Sequence, residues 1–225
     1  MTSTTQETGG PATARTTPPP DVHPVVALVG PPNSGKSTLF NRLTGLRQKV
    51  ANYPGVTVER HVGRVSTDHG TVDLVDLPGV SGFSARTLDE RVTRDVLEGR
   101  VEGMRAPDAL VLTVDCTRLE PQLMLVEPVL ELGIPTLLVL TMADELGARG
   151  GELDDARLAD RLGVEVARVN ARAGEGLEAV ERFLDHVAAR GPMPDRPCPV
   201  VSNTPRSMTL PVVEAFRERR RIVRE

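Results

Sequence analysis

The sequence predicts an α/β fold: a mostly parallel six-stranded sheet with one antiparallel edge hairpin and helices on both faces. Three observations predict it. Short aliphatic runs alternate with helical stretches, the pattern of a parallel sheet covered on both sides. Two alternating segments, 58–66 and 71–76, are joined by Thr67-Asp68-His69-Gly70, the spacing of a β-hairpin. Gly30-Pro31-Pro32-Asn33-Ser34-Gly35-Lys36-Ser37 fits G-x-x-x-x-G-K-[ST], the phosphate-binding P-loop, and lies between an apolar run and a helical one.

The elements follow in order. Residues 25–29 (VVALV) read as a buried strand and 38–43, opening on Thr38, as the helix after the loop. Pro54 and Gly55 make 48–57 a loop. The hairpin follows and ends in Asp76-Leu77-Pro78-Gly79. Residues 80–87 have no periodicity and read as a mobile loop, and 88–101 as a charged helix. Strands are expected at 109–115, 135–141 and 164–169, and helices at 119–132, 154–162 and 177–189. Ligands of such sheets bind at the C-terminal ends of the strands, so the intervening loops should converge on one crevice.

At 225 residues the chain can hold one full domain plus tails. Aromatic content is 2% with no Trp, so the core must be aliphatic. The net charge of −4 gives no general attraction to nucleic acid, and none is expected as a partner. Cys116 and Cys198 make no metal-ligand spacing and read as reduced thiols of a cytoplasmic protein. The four histidines are scattered and read as surface residues. No apolar run approaches the roughly 18 residues a membrane helix needs, and the N-terminus has no apolar signal-peptide core.

Residues 1–23 are rich in Thr, Pro, Gly and Ser and are expected to be a disordered tail. Residues 24–189 form the expected nucleotide-binding domain. Residues 190–225 are a Pro-rich linker and then a helix at 212–225 mixing apolar and basic residues. Such a helix suits anionic lipid or nucleic acid by its charge, or a protein partner by its apolar face.

The chemistry follows from these positions. Loop N–H groups and the helix N-terminus face phosphates, Lys36 reaches the β- and γ-phosphates, and Ser37 ligates Mg²⁺. Asp76, an acid at a strand end about 40 residues past the loop, suits the Mg²⁺ shell. The N–H of Gly79 would meet the γ-phosphate.

The order of phosphate loop, Thr loop, Asp-x-Pro-Gly, Thr-x-x-Asp and Ala-containing loop resembles the nucleotide-binding motifs of translation-factor-type small GTPases, which have a Ras-like P-loop fold. GPPNSGKSTLFNRLTG at 30–45, NYPGVTVE at 52–59, DLPG at 76–79, LELGIP at 130–135 and Met142 resemble one family more closely. That family is the G domain of the bacterial ferrous iron transport protein B (FeoB). The resemblance implies a cytoplasmic domain, or one on the cytoplasmic face of the inner membrane, that binds GTP or GDP with Mg²⁺ and regulates an Fe²⁺ permease domain absent from this chain, with residues 190–225 holding the linker and the start of a truncated helical domain.

By that resemblance Thr57, in the loop with Gly55 and Val56, is the switch I threonine that ligates Mg²⁺. Asp144 accepts from guanine N1 and N2, although an Asp there also serves as a helix cap. The Ala171 N–H, between Asn170 and Arg172, meets guanine O6. Asn33 would ligate K⁺ beside the phosphates, or cap its own loop. Three positions depart from the pattern. Thr141 replaces Asn and is expected to lose the amide that ties the base loop to the phosphate loop. Met142 has no ammonium, and Asn170 replaces Ser or Thr. Weak, micromolar or poorer guanine-nucleotide affinity is the expectation. Val80 stands where many GTPases carry a water-orienting Gln, so hydrolysis should be slow. Arg60 and Arg86 are candidate internal cations. The competing readings are a GTPase of ribosome assembly, and a nucleotide-binding scaffold with negligible turnover.

Overall fold

A computed structural model describes residues 22–45 and 48–193. Among these residues seven strands form one sheet: β1 (Val25–Val29), β2 (Gln48–Asn52), β3 (Glu59–Thr67), β4 (Gly70–Asp76), β5 (Ala109–Asp115), β6 (Thr136–Thr141) and β7 (Glu165–Arg168). Their spatial order is β2-β3-β4-β1-β5-β6-β7. Strands β4, β1, β5, β6 and β7 run parallel, and β2 and β3 are antiparallel to their neighbours.

The sheet has one strand more than the sequence predicts. Gln48–Asn52 pairs with β3, from Gln48 opposite Gly63 to Asn52 opposite Glu59, where a loop is expected. All five of its residues are exposed. With neither face buried, nothing in QKVAN forces the alternation by which strands are read. The loop proper is confined to residues 53–58, closed by Tyr53 N–H donating to the Val58 carbonyl at 3.0 Å.

Six α-helices of the described residues flank the sheet: α1 (Lys36–Thr44), α2 (Leu88–Leu97), α3 (Leu119–Glu131), α4 (Ala143–Ala148), α5 (Asp155–Leu162) and α6 (Leu177–Arg190). Helix α2 stops short of the expected 101. Gly99 takes φ 70° and Arg100 N–H folds back to the Asp95 carbonyl at 2.7 Å, a Schellman-type stop. Helix α4 is an addition to the expected elements, since six residues are too few to show periodicity. The expected helix at 212–225 and the tail at 1–21 lie outside the described residues.

Alternation along each strand builds two aliphatic cores. Ala27, Val29, Leu110, Leu112, Leu138 and Leu140 point to one face, against α2, α3 and α5. Val26, Leu28, Val111, Leu137 and Val139 point to the other, against α1 and α6. Each fully buried Val or Leu contributes about 1.5–3 kcal/mol of transfer free energy. The order of the strands reverses at β1, so the loop leaving its C-terminal end opens into the crevice between diverging connections. That loop begins at Gly30.

Candidate functional site

Helix α1 begins at Lys36, and the residue before it, Gly35, holds φ 80°. Asn33 is also left-handed, at φ 63°. The phosphate loop therefore turns twice through a conformation that costs L-residues energy, and only one of the two positions is glycine. Between them Ser34 is buried. Its hydroxyl lies 2.7 Å from the Thr113 hydroxyl of β5, and its carbonyl accepts from the Thr141 hydroxyl of β6 at 2.9 Å.

Lys36, Ser37 and Asp76 form one cluster. The Lys36 ammonium donates to Asp76 Oδ1, and the Ser37 hydroxyl to Asp76 Oδ2 at 3.3 Å. Lys36 is 7% exposed and Asp76 8%. Asp76 is the last residue of β4, and the acid meets the loop because β4 and β1 are parallel neighbours whose ends lie side by side. Leu77 continues this pairing, its N–H donating to the Leu28 carbonyl at 3.1 Å. The Asp-x-Pro-Gly turn then folds onto the loop. Val80 N–H donates to the Gly30 carbonyl at 3.1 Å. A Cβ on Gly79 would stand 3.1 Å from Pro32 Cα, so the turn packs tightly on the loop and a side chain there would require Pro32 to give way by a few tenths of an ångström.

A hydroxyl and a carboxylate side by side are hard oxygen donors of the kind Mg²⁺ takes, with the remaining ligands left to water and substrate phosphates. Among the described residues no cluster of three or more His, Cys, Asp or Glu could hold a metal on its own. Ser37 and Asp76 are donors of a type that fits part of a Mg²⁺ shell.

Thr57 stands apart. It is exposed in the 53–58 loop with Gly55 and Val56, and among the described residues no hydrogen bond joins it to Ser37 or Asp76. Tyr53, from the same loop, is buried in the core with Leu77, Val80 and Phe83. Burial pushes its phenol well above the ordinary tyrosine range, against a smaller opposing effect of Arg60. Among the described residues neither the Tyr53 hydroxyl nor Arg60 Nε has a hydrogen-bond partner. Arg86 is exposed, its backbone N–H held by Glu90.

Thr141, Met142 and Asp144 lie at the end of β6 and the start of α4. Met142 takes φ 57° before that helix. Thr141 lacks the amide, as its side chain dictates, but a hydroxyl contact joins the base loop to the phosphate loop. The Thr141 hydroxyl reaches the Ser34 carbonyl itself, because β6 brings it directly beneath the loop. Asn170 follows β7, and its amide nitrogen lies 3.5 Å from Asp144 Oδ2. Its side-chain oxygen accepts from Ala173 N–H at 3.2 Å, shaping the turn that holds Ala171 and Arg172. A cleft of about 490 Å³ beside the loop is lined by Pro31, Pro32, Asn33, Asp115, Gln122 and Met142, among others.

Sequence reasoning missed Thr113. A lone hydroxyl in the aliphatic run ALVLTVD was the available signal.

A phosphate loop at the switch point, an acid-ended neighbouring strand and a base-loop strand tied beneath it define a P-loop GTPase-type G domain. A model of the ferrous iron transport protein B family matches residues 24–184. The Fe(2+) transporter FeoB of Leptospira biflexa is 39% identical over 159 residues, 71% of this chain and 22% of that protein. The Fe(2+) transporter FeoB of Salmonella typhimurium is 41% identical over 165 residues, 71% and 21% of the two chains. The structure resembles the G domain of the T. maritima FeoB iron transporter (TM-score 0.65, 36% identity), covering 73% of this chain and 98% of that one. It also resembles a GDP-bound mutant of S. thermophilus NFeoB (TM-score 0.66, 38% identity), covering 73% and 61%. The chain belongs to the ferrous iron transport protein B family. It spans about a fifth of the length of the curated relatives it matches. Among the described residues no helix is long and apolar enough to cross a membrane.

Proposed function

We propose that this chain binds and slowly hydrolyses GTP, and that its nucleotide state regulates the Fe²⁺ permease domain of a bacterial transporter from the cytoplasmic side. The observation that carries the reading is the Lys36–Ser37–Asp76 cluster at the mouth of the phosphate loop, in a chain matched to this family over 24–184.

In this reading Lys36 exchanges its Asp76 partner for the β- and γ-phosphate oxygens, and the loop N–H groups face the same anion. Asp76 and Ser37 would hold Mg²⁺, which would supply charge neutralisation at the phosphates. Thr57 is brought to that centre by rearrangement of the 53–58 loop, and Gly79, already against Pro32, presents its N–H to the γ-phosphate. Asp144, exposed at the start of α4, accepts from guanine N1 and N2, and disfavours adenine because covering it with a base that offers no donor pair would leave the acceptor unpaired. Ala171 supplies an N–H to guanine O6. Asn33 would offer a neutral amide oxygen to K⁺, which would supply charge neutralisation during phosphoryl transfer.

Turnover is slow in this reading because Val80, in the water-orienting position, is packed into the apolar core. The same burial favours a second reading, a nucleotide-responsive scaffold with negligible hydrolysis. GTP hydrolysis in KCl and in NaCl at equal ionic strength, beside Asn33→Ala, separates them. Hydrolysis that rises in K⁺ and loses that rise in the variant supports the cation-assisted enzyme. Equal rates in both salts sink the role of Asn33, and phosphate release no faster than without protein leaves the scaffold.

A further inference from the structure

We propose that Thr113 is a positioning residue: from beneath, it fixes the phosphate loop in the shape that receives the nucleotide. The consequence for affinity rests on the GTP-binding reading above; the clamp itself does not.

Thr113 lies on β5, between β1 and β6, and is wholly buried. Its hydroxyl donates to the Val29 carbonyl at 3.2 Å, at the end of β1. A hydroxyl carries one proton, so the 2.7 Å contact with Ser34 must be donated by Ser34. The chain of bonds runs one way, from Ser34 to Thr113 to Val29. It commits the Ser34 proton to the sheet, which leaves Ser37 as the loop hydroxyl that faces Asp76.

Two further contacts make this a clamp rather than an incidental bond. The Thr141 hydroxyl of β6 lies 2.9 Å from the Ser34 carbonyl and 3.1 Å from the Val114 carbonyl and shares its one proton between them, so Ser34 is met at both its side chain and its backbone by adjacent strands. Gly30 packs directly on Thr113: a Cβ there would overlap the Thr113 hydroxyl, lie 2.7 Å from its carbonyl and 2.9 Å from the Ser34 hydroxyl. The clamped residue sits between the two left-handed positions, Asn33 and Gly35. Those are the positions at which the loop would relax if its middle were released. Asn33, whose amide is offered to a cation in the reading above, is the immediate neighbour.

The experiment uses the full chain with Thr113→Val, which removes the hydroxyl at nearly constant shape, and Thr113→Ser, which restores it. Amide hydrogen exchange is followed in the nucleotide-free protein, and Mg²⁺-GDP affinity is measured by titration. The expected result is faster exchange confined to peptides spanning 30–37 in Thr113→Val, with Thr113→Ser close to wild type. GDP affinity falls at least tenfold in the first variant and less than threefold in the second. A merely structural role would raise exchange throughout the sheet and move both properties together with the melting temperature. If Thr113→Val does not fold, Ser34→Ala cuts the same bond from the other side and must show the same local loosening. Unchanged loop exchange in the variants overturns the clamp. Loosened exchange with wild-type protein that binds no guanine nucleotide overturns the GTP reading instead, and with it the predicted effect on affinity.

Discussion

The Lys36 ammonium and the Asp76 carboxylate satisfy each other in a buried ion pair at the mouth of the phosphate loop. Each is thereby stabilised in the absence of the phosphate and the metal that the proposed function assigns to it. Lys36→Met should leave a buried carboxylate without its cation. The expected loss is about 3 kcal/mol of stability, alongside loss of nucleotide binding. The double variant Lys36→Met/Asp76→Asn should recover most of the stability and none of the binding. Urea denaturation of the three proteins, with GDP titration, checks this. Equal stability of wild type and Lys36→Met would show that the pair contributes nothing in solution.

Val80 occupies the position where a water-orienting Gln would be sought, yet it is only 2% exposed and packs with Tyr53, Leu77 and Phe83. Restoring an amide there should therefore not restore catalysis. Val80→Gln is expected to leave GTP hydrolysis no faster, and to cost about 1–3 kcal/mol by burying an amide without partners. A faster variant of unchanged stability would mean that residue 80 turns toward the phosphates in the working state. Single-turnover hydrolysis and chemical denaturation decide it.

The same contrast shows what the sequence made legible. The phosphate loop, the acid closing β4 and the strand ends carrying Thr141 and Asn170 were readable, because glycine spacing and aliphatic runs encode them locally. Strand β2 was not, because an edge strand exposed on both faces carries no hydrophobic pattern. Nor was the reach of Thr141 to Ser34, a contact 107 residues apart in the chain that depends on β6 passing beneath the loop. Thr113 fell between these cases: its hydroxyl was visible in an apolar run, but its partner was set by strand order. Thr57 was named by motif, and among the described residues no hydrogen bond joins it to Ser37 or Asp76.

Cys116 follows β5 in a short helical turn and is buried. Burial pushes its thiol up to about 11, with Arg168 opposing and Asp115 and Asp155 reinforcing the shift. The thiolate is the reactive form, so the native protein should resist alkylation at neutral pH. Peptide mapping after iodoacetamide, at a pH of about 7.5, should find Cys116 essentially unlabelled in native protein and fully labelled in urea. Rapid labelling of the native protein under the same conditions would contradict its burial.

The turn of the β3–β4 hairpin is fastened to α6 by two bonds to one carboxylate. His69 N–H donates to Asp185 Oδ1 at 2.9 Å, and the His69 ring nitrogen lies 2.7 Å from Asp185 Oδ2. Desolvation works to raise the Asp185 carboxyl, but the His69 ring and backbone bonds outweigh it and hold the group below the usual carboxylate range. A depressed folded value means that the unfolded chain binds the proton first. The stabilisation is therefore complete above the unfolded value of about 4, and is lost as pH falls through the lower folded value. Asp185→Asn should melt below wild type at neutral pH, and the gap should shrink below about pH 4 and close in stronger acid. Melting curves of both proteins from about pH 2.5 to about pH 7 test the sign. A gap that stays constant across that range would show that Asp185 acts through its shape or its neutral hydrogen bonding, not through its charge.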